Sequence, residues 1–140
     1  MTNFTFRPSA RENVHVIAGF IGGTGSGKTF SALRVATGLA AGKKFAVIDT
    51  EARRSLHYAD RFSFEHGDLT PPFMPERYLE AILAAEAAGF PVAVVDSMSH
   101  VWDGEGGVLD WQEEERDRMA GTDFQKREAC KRASWIKPKM

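Results

Sequence analysis

The chain alternates short, almost continuous apolar runs with longer stretches in which apolar residues recur at helical spacing. The apolar runs at residues 14–21, 45–48 and 92–96 predict buried β-strands, and the stretches at 28–39 and 76–88 predict helices. Strands that are apolar throughout are typical of a parallel sheet covered on both faces. The pattern therefore predicts an α/β fold, a mainly parallel sheet flanked by helices in three layers.

The region between the second predicted strand and the second predicted helix has a weaker pattern. Residues 53–60 are compatible with a helix or an irregular crossover, and residues 61–65 alternate like an edge strand. Pro71, Pro72 and Pro75 indicate a loop.

A glycine-rich loop follows the last apolar run and leads into acidic residues 108–119 and basic residues 122–140, both compatible with helices. No repeat or low-complexity linker divides the sequence. We predict a single domain over residues 1–140, with a core over residues 1–100 and a glycine loop plus helical segment over residues 101–140.

Composition excludes several classes of protein. The chain has 140 residues and a net charge of -1, which gives no global electrostatic case for binding nucleic acid or membranes. Its single cysteine, Cys130, precludes an internal disulfide, and no apolar run is long enough to span a membrane. We therefore expect a soluble cytoplasmic protein without a membrane partner.

A glycine-rich motif follows the first predicted strand and opens the first predicted helix. It matches the phosphate-binding pattern G-x-x-x-x-G-K-[ST] and consists of Gly22, Gly23, Thr24, Gly25, Ser26, Gly27, Lys28 and Thr29. Its glycines let backbone N–H groups turn toward the phosphates of a nucleoside triphosphate. Lys28 would neutralise the β- and γ-oxygens and assist catalysis, Thr29 would hold Mg²⁺, and Phe30 is counted with the nucleotide-binding residues. The alternative is a glycine-rich turn that merely caps a helix.

Two acidic residues supply the other parts that phosphoryl transfer needs. Asp96 closes the apolar strand and is the candidate second ligand of Mg²⁺; a turn or helix-cap residue is the alternative. Glu51 follows the strand at residues 45–48 and is the candidate general base. Its alternative is a surface glutamate paired with Arg53 or Arg54. Ligands of parallel sheets bind beyond the carboxyl ends of the strands, where these acids are expected.

Three segments together, residues 22–29, 47–51 and 92–97, resemble the RecA-type recombination ATPases. The chain is most similar to small phage-encoded RecA-like ATPases, often described as AAA-domain or nucleotide-binding proteins, that work beside single-strand annealing proteins. Further similar runs are residues 48–51, 58–60, 75–78, 96–100 and 102–107.

The resemblance implies a P-loop NTPase fold that binds ATP and Mg²⁺. It implies that Glu51 activates water, that Tyr58 stacks on adenine and that Ser55 makes a polar contact to the base; for Tyr58, a role in covering the core is the alternative. It also implies a phage-infected or prophage-bearing bacterial host as the setting. Single-stranded DNA and an annealing protein are the expected partners, and a homo-oligomer is expected if the full family core is present.

The sequence departs from this family after Asp96. RecA-like cores continue with a further strand that presents a polar sensor residue, and no such strand is indicated before Met140. We therefore expect a C-terminally short member in which C-terminal strands are missing and a sheet edge is unpaired. Such a protein could bind nucleotide yet hydrolyse it poorly.

Contact with DNA has two candidate regions. Residues 98–107 occupy the place of a first DNA-contacting loop, and Trp102 could stack on a base, but Asp103 and Glu105 have the wrong charge for a phosphate backbone. The better electrostatic candidate is a basic stretch, for which a solvated helix face is the alternative. Its residues are Lys126, Arg127, Lys131, Arg132, Lys137 and Lys139.

Three functions follow from these observations. The first is an Mg²⁺-dependent ATPase of DNA recombination that uses Lys28, Thr29, Asp96 and Glu51. The second is a hydrolysis-deficient nucleotide-binding module that partners a single-strand annealing protein. The third, a small P-loop kinase, has less support because an arginine-rich lid is not evident. The four histidines lack ligand-like spacing for zinc, and no serine lies in a nucleophile-elbow context.

Overall fold

A computed structural model of the chain describes Pro8 and residues 15–135. This part of the chain contains three β-strands, five α-helices and two short 3₁₀ helices. The strands are β1 (Phe45–Asp49), β2 (Phe64–Asp68) and β3 (Ala93–Asp96). The α-helices are α1 (Lys28–Leu39), α2 (Pro75–Ala87), α3 (Ser99–Asp103), α4 (Val108–Ala120) and α5 (Phe124–Ala129), and the 3₁₀ helices span Arg54–Tyr58 and Ala133–Trp135.

The three strands form one parallel sheet in the order β2-β1-β3. Every residue of the central strand β1 is buried. In the register of the sheet, Asp49 at the end of β1 lies opposite Asp68 of β2 and Asp96 of β3. The carboxyl edge of the sheet therefore presents a row of three aspartates, one from each strand.

Helices cover both faces of this sheet. Phe45 and Val47 of β1 pack with Leu33 and Ala36 of α1 on one face. Ile48, whose side chain alternates to the other face, packs with Tyr78 of α2. Burying a side chain of the size of Phe or Leu contributes roughly 1.5–3 kcal/mol, so these two clusters hold the layers together. The expected α/β fold with a parallel sheet flanked by helices is confirmed at this level.

The helices that follow β3 pack mainly on one another. Helix α4 contacts α3, α5 and the final 3₁₀ helix. Inside this group the Gln112 amide donates to the Ser134 hydroxyl at 2.6 Å, and Ser134 is completely buried. The predicted helical character of residues 108–119 is confirmed, while residues 136–140 of the predicted basic helix lie outside the described part.

The strand predicted at residues 14–21 is not observed over residues 15–21, where the chain has no regular structure. Ile17 and Ile21 are fully exposed; Val14 lies outside the described residues. An apolar run indicates a tendency to be buried, but a strand also needs a neighbour that completes its backbone hydrogen bonds. Here a cavity of about 350 Å³ separates this segment from β3 and α1. Within the described residues, the second edge of β3 is unpaired.

Two smaller predictions also need correction. The edge strand expected at residues 61–65 is displaced to Phe64–Asp68, because pairing with β1 rather than local alternation sets its register. The loop expected at residues 98–107 contains the short helix α3. Among the described residues, none belongs to a helix with the length and apolar character needed to cross a bilayer.

The proline-containing loop before α2 and the glycine-rich loop before α4 contact each other directly. Phe73 N–H donates to the Glu105 carbonyl at 2.7 Å. Gly106 has φ +74°, and a Cβ atom at this position would lie 2.5 Å from Pro72 Cβ. The glycine is therefore required by its backbone conformation and by the approach of the neighbouring loop.

We predict that Gly106→Ala lowers the free energy of unfolding more than Gly89→Ala does. Gly89 shares the positive φ (+77°), but a Cβ there meets nothing within 4 Å. The φ strain should cost about 1–2 kcal/mol at either site, and the clash should add roughly 1–3 kcal/mol at Gly106. Urea unfolding of both variants measures the difference; equal losses would show that the loop contact contributes nothing.

Candidate phosphate-binding site

The predicted phosphate loop lies at the start of α1 and is open to solvent. Residues 21–27 are exposed, and Gly25 and Gly27 have φ values of +77° and +82°, in the left-handed region that glycine adopts most readily. Helix α1 begins at Lys28, so its N-terminus with its unpaired backbone N–H groups faces the loop. This arrangement is suited to binding an anion.

The Lys28 side chain folds back across the loop. Its Nζ donates to the carbonyl oxygens of Gly22 and Gly23 at 2.8 Å and 2.9 Å. A Cβ at Gly22 would lie 2.8 Å from the hydroxyl of exposed Ser26, whose side chain would have to rotate away. The loop therefore places a cation beside the exposed backbone of the motif.

Thr29 and Asp96 meet although 67 positions separate them in the sequence. Thr29 Oγ1 donates to Asp96 Oδ2 at 2.7 Å, which ties the first turn of α1 to the carboxyl end of β3. Hydroxyl and carboxylate oxygens are the ligand types that Mg²⁺ prefers. The two residues predicted to hold the metal are thus brought together, and their chemistry fits that ion.

Glu51 lies two residues beyond the end of β1, at the same edge of the sheet as Asp96. Its Oε2 accepts a hydrogen bond from Arg54 Nη1 at 2.6 Å. The pairing with Arg54 was the alternative that the sequence left open, and it is observed. Glu51 is partly exposed, with 28% of its side chain accessible, so it is not sealed off from a ligand.

The residues expected to hold a base occupy different environments. Tyr58 is partly buried and packs edge-on against Phe30 and Phe62, with ring centroids 5.9 Å and 6.5 Å away. Phe30 also contacts Phe62, at 5.3 Å, so the three rings form one cluster beside the core. Ser55 is completely buried and bonded to Asp49, so it is not available to a ligand in this structure.

The sequence did not single out Asp49, which organises the turn after β1. Its Oδ1 accepts from Glu51 N–H at 2.7 Å, and its Oδ2 accepts from Ser55 N–H at 2.9 Å and Ser55 Oγ at 2.5 Å. Asp49 is 2% exposed. Burial raises the pKa of its carboxyl, but the hydrogen bonds from Ser55 and Glu51 outweigh burial, and the pKa lies below its ordinary value.

Thr50 forms a second polar hub that the sequence did not predict. Its hydroxyl accepts from Ser97 N–H at 2.8 Å, donates to the Ser97 carbonyl at 3.1 Å and lies 2.8 Å from His100 Nδ1. His100 in turn stacks on Phe73, with centroids 4.9 Å apart. The peptide bond between Asp96 and Ser97 is cis. This hub fixes the chain directly after Asp96. The signal in the sequence was a threonine close to the end of a predicted strand, and its burial became visible only in the structure.

The candidate DNA-contacting residues are partly engaged within the chain. Trp102 stacks on Trp135 with centroids 5.6 Å apart and planes 13° apart, while 51% of Trp102 remains exposed. Arg127 of the basic stretch pairs with Glu113 at 2.7 Å and with Asp117. This favours, for Arg127, the alternative of a solvated helix face.

No similar protein provides evidence about this site. Comparisons of the chain with protein-family models, curated proteins and solved structures found no match. Within residues 15–135, no group of three or more His, Cys, Asp or Glu side chains is placed to hold a metal ion. A divalent cation at Thr29 and Asp96 would therefore depend on ligand oxygens from elsewhere, such as phosphate.

We predict that the stability lost in Ser55→Ala depends on pH, whereas that lost in Ser134→Ala does not. Both serines are completely buried, but Ser55 donates to a carboxylate and Ser134 bonds an amide. Because folding lowers the pKa of Asp49, its stabilisation is present above the unfolded pKa of about 3.9 and is lost as pH falls through the folded pKa.

Ser55→Ala should therefore cost roughly 1.5–3 kcal/mol at pH 7 and progressively less as pH falls through the folded pKa of Asp49. Urea unfolding over a series of acidic pH values measures both variants. A pH-independent cost for Ser55→Ala would contradict the assignment of Asp49 as a hydrogen-bonded carboxylate.

Proposed function

We propose that this protein binds Mg²⁺ and ATP at residues 22–29 and hydrolyses the nucleotide, as a P-loop ATPase of the RecA-like type. The observation that carries the proposal is the 2.7 Å hydrogen bond from Thr29 Oγ1 to Asp96 Oδ2. It joins the last residue of the glycine motif to the acid that ends a parallel strand, and these are the two residue types that hold a nucleotide-bound metal in P-loop proteins.

Each residue then has a defined task. Lys28 would contact the phosphate oxygens, in exchange for its present bonds to Gly22 and Gly23. Thr29 and Asp96 would hold Mg²⁺, which when bound supplies charge neutralisation on the phosphates. Glu51 would accept a proton from water while the water oxygen bonds to the γ-phosphorus and the bond from that phosphorus to the bridging oxygen breaks, giving ADP and phosphate.

The recombination setting rests on the sequence resemblance. It supports action on or near single-stranded DNA and partnership with an annealing protein. In the structure, exposed Trp102 and the exposed cations Lys126, Lys131 and Arg132 remain candidates for such contacts.

A second candidate, a nucleotide-binding module without turnover, is favoured by one observation. The carboxylate of Glu51 is engaged by Arg54 at 2.6 Å, so its Oε2 is already occupied by a donor other than water. Turnover therefore separates the two candidates. Phosphate transfer to a small acceptor instead of water would support a kinase.

We predict that Lys28→Ala weakens ATP binding by roughly 10- to 100-fold, because charge-assisted hydrogen bonds to the phosphates are lost. Lys44→Ala is the matched control, since Lys44 is an exposed lysine paired with Glu65 at 2.5 Å. Calorimetric titration with Mg²⁺ and ATP measures both variants, and thermal unfolding checks that each is folded. Unchanged affinity in folded Lys28→Ala would contradict the site assignment.

We predict that Glu51→Gln lowers ATP turnover by about 100-fold or more while ATP binding is retained, because a general base typically contributes that much. Glu65→Gln, which removes the charge of another ion-paired surface glutamate, should leave turnover unchanged. Phosphate release measures both. Bound ATP without turnover in the unaltered protein would instead support the hydrolysis-deficient module.

A further inference from the structure

Arg54 is the residue whose position at this site is not explained by folding alone. Its guanidinium donates to Glu51 Oε2 at 2.6 Å, yet 66% of its side chain is exposed. An exposed ion pair contributes little stability, typically less than about 1 kcal/mol. The pair is therefore a weak constraint that a stronger anion could displace.

The backbone brings Arg54 to Glu51 through a tight turn. The two residues between them, Ala52 and Arg53, have φ values of +52° and +66°. Left-handed conformations cost about 1–2 kcal/mol each in residues other than glycine, so this turn is held by its surroundings. Those surroundings are the bonds from Glu51 and Ser55 to buried Asp49. Arg54 is thus fixed at its backbone, while its side chain is exposed and, among the contacts of the described residues, is held only by the Glu51 ion pair.

The charges around Arg54 link it to the metal-binding acid. Its pKa is raised chiefly by the hydrogen bond and the charge of Glu51, and also by the charge of Asp96. Asp96 is the residue that accepts from Thr29 at the end of the glycine motif. The guanidinium therefore lies within electrostatic reach of both the candidate base and the candidate metal ligand.

Arg53, the neighbouring residue, has a different setting. Its Nε donates to Asp68 at 2.8 Å, and 69% of its side chain is exposed. Asp68 belongs to β2, on the side of β1 opposite to β3. Two adjacent arginines of similar exposure thus have different partners, and of the two it is Arg54 that pairs with the candidate base Glu51.

We propose that Arg54 is a contact for the terminal phosphate of the bound nucleotide and that it exchanges Glu51 for this phosphate on binding. A guanidinium binds phosphate oxygens in a bidentate manner, and a triphosphate offers more negative charge than one carboxylate. When Arg54 moves, Glu51 loses its partner and becomes a free base beside the reacting phosphorus. The exchange couples nucleotide occupancy to release of the base. This inference rests on the proposed function.

The test compares Arg54→Ala with Arg53→Ala in the full chain. Calorimetry in the presence of Mg²⁺ gives the affinity of each variant for ADP and for a non-hydrolysable ATP analogue. We expect Arg54→Ala to weaken the analogue by about tenfold, the equivalent of one charge-assisted hydrogen bond, and to leave ADP affinity unchanged. Arg53→Ala should leave both affinities unchanged.

Several outcomes would overturn the inference. An unchanged ratio of the two affinities in Arg54→Ala would make the residue an ordinary surface ion pair. Equal weakening of ADP and the analogue would make it a general electrostatic contributor. If the unaltered protein binds neither nucleotide, the proposed function itself fails, which is distinct from a failure of Arg54 alone.

Two controls accompany the test. Because Arg54→Ala removes an exposed side chain, thermal unfolding should show a folded protein. Arg54→Lys keeps the charge without the planar guanidinium and should restore part of the lost analogue affinity.

Discussion

The buried carboxylate of Asp49 is the interaction on which the candidate site depends. It ends the central strand and accepts three hydrogen bonds from the turn that follows, two of them from Ser55. A buried charge is tolerated only when its hydrogen-bonding capacity is satisfied, and these bonds achieve that. By satisfying Asp49, the chain fixes residues 51–55 against the end of β1 and thereby fixes the backbone of both Glu51 and Arg54.

The parallel register of the sheet connects the turn after β1 to the other residues at the carboxyl edge. Asp49 and Asp96 are partners in the sheet, so the turn after β1 and the turn after β3 leave the sheet side by side. The Thr50 hydroxyl then bonds both the N–H and the carbonyl oxygen of Ser97, and the Thr29 hydroxyl bonds the Asp96 carboxylate. The loop at the start of α1, the candidate base and the candidate metal ligand are thus connected to one edge by short polar contacts. The function proposed above rests on this convergence more than on any single motif.

The sequence predicted those features that local patterns determine. Helix α1 has the predicted bounds, and β1 and β3 begin and end within one residue of the predicted strands, because capping signals and continuous apolar runs are local. It failed at residues 15–21, where an apolar run has no hydrogen-bonding neighbour, and at β2, whose register depends on β1. Pairing is a property of two segments, and one segment cannot encode it.

The sequence likewise predicted some residues of the candidate site and missed others. The glycine motif and the strand-end acids could be found from their spacing, and the structure brings Thr29 and Asp96 together. The hydrogen-bonding roles of Asp49 and Thr50 could not be predicted from the sequence. Their partners Ser55, Ser97 and His100 become neighbours only in the fold. The same holds for Arg54: its pairing with Glu51 was one of two alternatives in the sequence, and only the turn at Ala52 and Arg53 decides between them.

The proposed function requires that a triphosphate binds at the start of α1 with its metal ion at the end of β3. The most direct test is to follow backbone amide signals by NMR during titration with ATP and Mg²⁺. We expect the largest shifts at residues 22–29 and at Asp96 and Ser97, and we expect chelation of Mg²⁺ to reduce the shifts at the latter two. No shifts at millimolar ATP, or shifts confined to residues 99–135, would contradict it.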